Sequence, residues 1–306
     1  LDILFVAAGL ALLLGGGELF VRGAANLAQA LRLSPMLIGV VVVGFGTSLP
    51  ELVTSLGAAW SGAPGLAVGN VVGSNIANIL LILGLAAALA PIPVAQGVLR
   101  REGLAVALAT LLGGAVLMTG NLGSGAAAVL LAGFAVYLAA SLRGAHAAPP
   151  QDAAPRPSVW PNAALALGGL VPVLAGADLL VRGGVGLARG WGVSETLIGV
   201  TVVAVGTSLP ELVTSVVAAR RGQSALALGN VFGSNVFNLL GILAATALVA
   251  PVPVPDDILR IDLWAMAAAT GLMLWVAASG ARITRGEGGV LLGLWLVWTA
   301  GRAALG

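Results

Sequence analysis

Apolar residues fill this chain in runs of roughly 20, separated by short segments that hold most of the charge. A helix of about 20 residues crosses a hydrocarbon core ~30 Å thick. Ten such runs are expected, near 3–21, 36–60, 66–90, 102–119, 124–142, 160–181, 195–219, 225–249, 262–280 and 287–304. Between the fifth and sixth lies 143–161, with His146, Asp152 and prolines at 149, 150, 155, 157 and 161, which predicts a short polar linker. The first run lacks a basic leading region and its pattern recurs in the sixth, so it reads as a span rather than a cleaved signal.

The chain also repeats itself. A shift of 160 residues aligns LIGVVVVGFGTSLPELVTS (37–55) with LIGVTVVAVGTSLPELVTS (197–215), and GNVVGSNIANILLIL (69–83) with GNVFGSNVFNLLGIL (229–243). Over 36–84 against 196–244 there are 31 identities in 49 ungapped positions. Five spans separate equivalent points, and an odd number turns the second copy upside down. The expected architecture is therefore an all-α membrane protein of ten helices in two inverted five-helix repeats, 1–142 and 162–306, joined by the linker 143–161. Inverted repeats place a transporter's substrate site near the midplane, between the halves.

The block that stayed constant is polar. Gly46, Thr47, Ser48, Leu49, Pro50 and Glu51 recur as Gly206, Thr207, Ser208, Leu209, Pro210 and Glu211. Proline removes one helical hydrogen bond and strikes the carbonyl four residues back, here that of Gly46 or Gly206. A broken helix at membrane depth is tolerated where its freed carbonyls, such as those of Thr47 and Thr207, face protein or a polar cavity. Glu51 and Glu211 lie beside the breaks, with no basic residue at that depth in the same spans, so a cation is the simplest counter-charge. Ser48 shares a helix face with its glutamate, as does Ser208 with Glu211. The next span of each half adds Ser74 with Asn78, and Ser234 with Asn238, as i,i+4 pairs; for Asn70, Asn75, Asn230 and Asn235, interhelical hydrogen bonding is the competing reading. The resulting set is all oxygen, which suits hard cations: two carboxylates neutralise one Ca2+ or two Na+.

Composition narrows the classes further. The chain is 59% apolar and 8% charged, against about 25% charged in a soluble domain. All 14 basic residues are Arg, net charge is +2, and no basic run exceeds two residues, so no nucleic-acid patch is expected. Without Cys, and with His146 in the linker, imidazole or thiolate metal sites are not expected. Ten arginines (22, 32, 100, 101, 143, 156, 220, 221, 282, 285) fall in connections on the linker side and four (182, 189, 260, 302) on the other. Basic residues stay cytoplasmic, which predicts a cytoplasmic linker and both termini outside the cell (inner) membrane.

With these residues in view, the two blocks resemble the alpha-repeats of the sodium/calcium exchangers, within the calcium/cation antiporter superfamily, and the chain looks like a prokaryotic member. The resemblance implies helices 2, 3, 7 and 8 broken around one calcium and several sodium positions. By that resemblance Glu51, Glu211 and the carbonyls of Thr47 and Thr207 would bind Ca2+, Ser48, Ser74, Ser208 and Ser234 would complete the Na+ positions, and Asn78 and Asn238 would stand at the centre. Asn238 stands where prokaryotic relatives and the potassium-dependent branch often carry Asp and potassium-independent animal exchangers carry Asn, a likeness that argues against potassium cotransport and removes one carboxylate from the set. The implied activity is extrusion of cytoplasmic Ca2+ against Na+ by alternating access, with no cofactor and no obligatory protein partner. A Ca2+/H+ exchanger using the same glutamates is the alternative, although the GNA-x-E motif of proton-coupled members is absent. A channel fits the inverted duplication less well, and an enzyme lacks a nucleophile and base in the spans.

Outside the block, Glu18 with Arg22 and Asp178 with Arg182 are expected as i,i+4 ion pairs, the minor alternative being a gate contact between a sliding helix pair and the core. The glycines of the first and sixth spans suit smooth helices that slide.

Overall fold

The computed structural model describes residues 1–145, 157–192 and 204–305. The expected features at His146, Asp152, prolines 149, 150 and 155, and 195–203 of the seventh span lie outside the described residues. Along the described chain run α1 (Asp2–Leu31), α2 (Pro35–Thr47), α3 (Leu49–Trp60), α4 (Gly65–Leu89), α5 (96–117), α6 (Ser124–Ala145), α7 (Val159–Gly190), α8 (Ala204–Thr207), α9 (Leu209–Arg220), α10 (Ser224–Val249), α11 (Ile258–Ser279) and α12 (Arg285–Leu305). Six of them, α1, α4, α6, α7, α10 and α11, are long and apolar enough to cross a membrane, and α2 with α3 makes one further span bent by 43°. The other expected runs are helical as α5, α9 and α12. This is an all-helical, multi-pass membrane protein.

Burial separates centre from periphery. The most apolar window is 78% buried in α4 and 83% in α10, against 28% in α1 and α7 and 22% in α6. The two central helices are those carrying the second half of each sequence block. The seam of α10 depends on glycine: a Cβ on Gly229 would lie 2.6 Å from the Met36 carbonyl oxygen, and one on Gly233 2.5 Å from that of Val40, so α10 lies backbone to backbone on α2, whereas a Cβ on Gly73 of α4 would meet nothing described within 4 Å.

At the periphery α1 and α7 form an antiparallel pair with glycines at seven-residue intervals, Gly9, Gly16 and Gly23 on one helix and Gly169, Gly176 and Gly183 on the other. Gly9 meets Gly176, Gly16 meets Gly169 and Gly23 meets Ala166. A Cβ on Gly16 would stand 2.8 Å from the Gly169 carbonyl oxygen, so the two helices are held at backbone contact. Asn26 Nδ2 donates to Asn162 Oδ1 at 2.9 Å and ties the end of this pair.

Two short antiparallel ribbons cap the bundle. β1 (Ile92–Pro93) pairs with β4 (Arg282–Ile283), and β2 (Asn121–Leu122) with β3 (Val252–Pro253). β1 precedes α5 and β2 follows it, whereas β3 precedes α11 and β4 follows. Hence α5 and α11 run antiparallel, with the Thr110 and Thr270 hydroxyls 3.3 Å apart between them.

Candidate functional site

The site begins at the breaks. Ser48, between α2 and α3, has φ −82° and ψ 11°, and Ser208, between α8 and α9, has φ −90° and ψ 6°. Pro50 and Pro210 each stand one residue into the new helix, where a missing N–H costs nothing to the helix they start. The carbonyls of Gly46 and Gly206 lose their i+4 donor there. Across the first break Ser48 N donates to Gly44 O at 3.2 Å and Leu52 N to Ser48 O at 3.1 Å, which holds the kink in one geometry.

Thr47, Ser48, Glu51, Ser74, Asn78, Ser208, Glu211, Ser234 and Asn238 are all buried, with Thr207 half-buried beside them. The glutamates are linked across the repeat. Ser48 Oγ donates to Glu211 Oε1 at 2.8 Å and Ser208 Oγ donates to Glu51 Oε1 at 3.1 Å. The other oxygen of each, Glu51 Oε2 and Glu211 Oε2, is buried and has no hydrogen-bond partner among the described residues. Neither carboxylate is in an ion pair among the described residues. A carboxylate at this depth costs about 2.5–3.5 kcal/mol on insertion scales, and one neutral hydroxyl does not offset that.

The amides divide into two kinds. In Asn78 and Asn238 both Oδ1 and Nδ2 are buried without a partner among the described residues. Each lies in a widened, π-helical segment of its helix, Asn78–Leu83 in α4 and Phe237–Ile242 in α10, a local geometry common at functional sites. Asn70 and Asn230 instead bond between helices. Asn70 Nδ2 donates to Glu51 O at 3.1 Å and Ser55 Oγ at 2.9 Å; Asn230 Nδ2 donates to Glu211 O at 3.2 Å and Ser215 Oγ at 2.8 Å. Asn75 and Asn235 donate within their own helices, to Val71 O at 2.9 Å and Val231 O at 2.7 Å. Ser234 Oγ donates to Gly44 O at 3.1 Å, joining α10 to the end of α2.

Ser55 and Ser215 were not singled out in the sequence. Both are fully buried one helical turn beyond the glutamates, and their presence inside the matched block was the available signal. No group of three or more His, Cys, Asp or Glu that could hold a metal occurs among the described residues. The donor set is therefore two carboxylates among neutral oxygens, which suits a hard cation held loosely enough to leave.

A family model described as "Sodium/calcium exchanger protein" matches residues 1–143 and 162–303. The chain belongs to the sodium/calcium exchanger family. Its relatives in that family include the sodium/calcium exchanger MaX1 of Methanosarcina acetivorans, 32% identical over 95% of each chain. The inner membrane protein YrbG of Escherichia coli is 36% identical, covering 95% of this chain and 94% of its own. A structure of the sodium-calcium exchanger NCX_Mj soaked with 10 mM Na+ superposes with a TM-score of 0.87 at 34% identity, covering 98% of both chains. The exchanger family consists of transporters rather than enzymes, and the fold matches one of them along nearly its whole length.

Away from the centre one expected ion pair is corrected. Asp178 does pair with Arg182, at 2.9 Å, but Glu18 pairs with Arg221, at the end of α9, rather than with Arg22. Gly17, next to Glu18, has its bare backbone against Val213 and Val217 of α9, which brings the carboxylate within reach of Arg221.

Proposed function

We propose that the protein is a secondary active antiporter that exchanges Ca2+ for Na+ by alternating access and moves Ca2+ out of the cytoplasm. One observation carries the reading. Glu51 and Glu211, from opposite halves, each accept a serine hydroxyl on one oxygen and present the other, buried and without a partner among the described residues. Two carboxylates with two unused oxygens ask for positive charge, and two unpartnered carboxamides add neutral donors. In this reading Thr47, Ser48, Glu51, Ser74, Asn78, Thr207, Ser208, Glu211, Ser234 and Asn238 ligate the transported ions. One Ca2+ or two Na+ neutralise the pair of glutamates, and the unloaded pair resists crossing between states because two bare charges would cross together.

The proposed architecture is two inverted five-helix repeats, 1–142 and 162–306, joined by a linker, 143–161, on the cytoplasmic side, with both termini outside; around a midplane site helices 2 and 7 are broken, whereas helices 3 and 8, expected as broken, run on as continuous helices widened by π-helical segments. Its support is that α5 and α11, equivalent under the 160-residue shift, run antiparallel with Thr110 facing Thr270. The equivalent strands β1 and β3 also lie in different ribbons, at opposite ends of α5. Charge supports the orientation through ten arginines against four. The likeness to the inner membrane protein YrbG supports placement in the inner membrane, and that to the sodium/calcium exchangers MaX1 and NCX_Mj supports the two ions.

The test is uptake of labelled calcium into proteoliposomes under opposed Na+, K+ or H+ gradients, with the membrane potential clamped. Uptake driven by Na+ alone is the expected result. Uptake driven by a proton gradient without Na+ gives the Ca2+/H+ alternative, and passage without any counter-ion gives a channel.

A further inference from the structure

Asn230 stands apart from Asn78 and Asn238 because every polar atom of its side chain is engaged. It is fully buried in α10; its Nδ2 donates to the Glu211 main-chain oxygen at 3.2 Å and to Ser215 Oγ at 2.8 Å, and its Oδ1 lies 3.1 Å from Thr47 Oγ1, whose one proton it shares with the Val43 carbonyl at 2.9 Å and the Gly44 carbonyl at 3.3 Å. The amide thereby closes a ring. Thr47 is bonded covalently to Ser48, Ser48 Oγ donates to the Glu211 carboxylate, the Glu211 carbonyl accepts from Asn230, and Asn230 accepts from Thr47. Two members of the ring belong to the first half of the sequence and two to the second.

We propose that Asn230 is a positioning residue of the ion site, fixing Thr47 and Ser48 of one half relative to Glu211 of the other without itself touching an ion. A planar carboxamide has its donor and acceptor directions locked, so three occupied partners define where both groups stand. With those partners in place its oxygen has a hydroxyl to accept and its amide protons have two oxygens, whereas the amides of Asn78 and Asn238 have none among the described residues. Asn70 is the counterpart in the other half, with the matching pair of donations to Glu51 O and Ser55 Oγ. The inference rests on the exchanger reading and concerns how that site is held.

The experiment is Ca2+ titration by calorimetry on the purified full chain, with Asn230→Ala, Thr47→Val and the double variant, each checked by thermal melting. Thr47→Val keeps the main-chain carbonyl and deletes only the hydroxyl. Asn230→Ala is expected to weaken Ca2+ about tenfold, since it leaves buried partners unpaired, and the double variant to be no weaker than Asn230→Ala, since both cut one ring. Wild-type affinity in Asn230→Ala, or losses that multiply in the double variant, overturns the proposal. If Asn230→Ala does not fold, Ser215→Ala takes its place, with about threefold weaker Ca2+ expected and unchanged affinity overturning it. Wild-type protein that binds no Ca2+ at all overturns the exchanger reading, and this proposal with it.

Discussion

Ser48 donates its hydroxyl to Glu211 across 2.8 Å, although the two residues belong to different copies of the repeat. The mirrored bond, Ser208 to Glu51, spans 3.1 Å. Each copy of the repeat thus supplies the hydroxyl donor for the other copy's carboxylate. Ser48→Ala is expected to raise the KM for Ca2+ about tenfold, the worth of one hydrogen bond to a charged group. Thermal melts separate coupling across the halves from coupling within one: Ser48→Ala is expected to lower the melting temperature little further in Glu211→Gln and by its full amount in Glu51→Gln.

Pro50 keeps the first break open. Pro50→Ala restores an N–H that can reach the Gly46 carbonyl and straighten a span now bent by 43°. The variant is expected to melt no lower than wild type and to transport calcium more slowly. A fall in melting temperature with undiminished flux contradicts that role.

The backbone contact of α1 with α7 sets a steric limit. A Cβ on Gly16 would lie 2.8 Å from Gly169 O, whereas nothing described lies within 4 Å of one on Gly15. Gly16→Ala is expected to cost about 1–3 kcal/mol, the range for overpacking, and Gly15→Ala to be neutral. Thermal melts in one detergent compare them.

At the mouth of α11 a pH dependence is expected. A hydrogen bond from Arg302, at 2.7 Å, holds the Asp257 carboxyl below the ordinary aspartate range. A depressed folded-state pKa contributes stability above the unfolded value and loses it as pH falls through the folded one. Below the ordinary value of 3.8, wild-type protein should therefore lose melting temperature more steeply than Asp257→Asn. The difference is small, because the Asp257 side chain is about half exposed to solvent.

Much of the centre was legible in the sequence because it is duplicated. Glu51 and Glu211, the prolines beside them and the serines on their faces all sit inside the matched blocks, and a lone acid in an apolar run is hard to explain except as a site. The hydropathy runs located the helices for the same reason that makes them span. What was illegible depends on a second element arriving from far along the chain. Gly9, Gly16 and Gly23 show a seven-residue interval, but only α7 shows that their role is to admit Gly176, Gly169 and Ala166. For Glu18 the sequence offers Arg22, which is near along the chain, while Arg221 is near in space. Asn70 and Asn78 look alike in sequence, and only their partners separate an amide bonded between helices from one left unengaged among the described residues.

The central claim is that two buried glutamates, one from each half, hold the transported calcium together. The measurement that tests it most directly is sodium-driven uptake of labelled calcium into proteoliposomes by wild-type, Glu51→Gln and Glu211→Gln protein, matched for folded protein by thermal melting. Uptake by wild type with both variants reduced to the level of protein-free vesicles is the predicted result; undiminished uptake by either variant would contradict the claim.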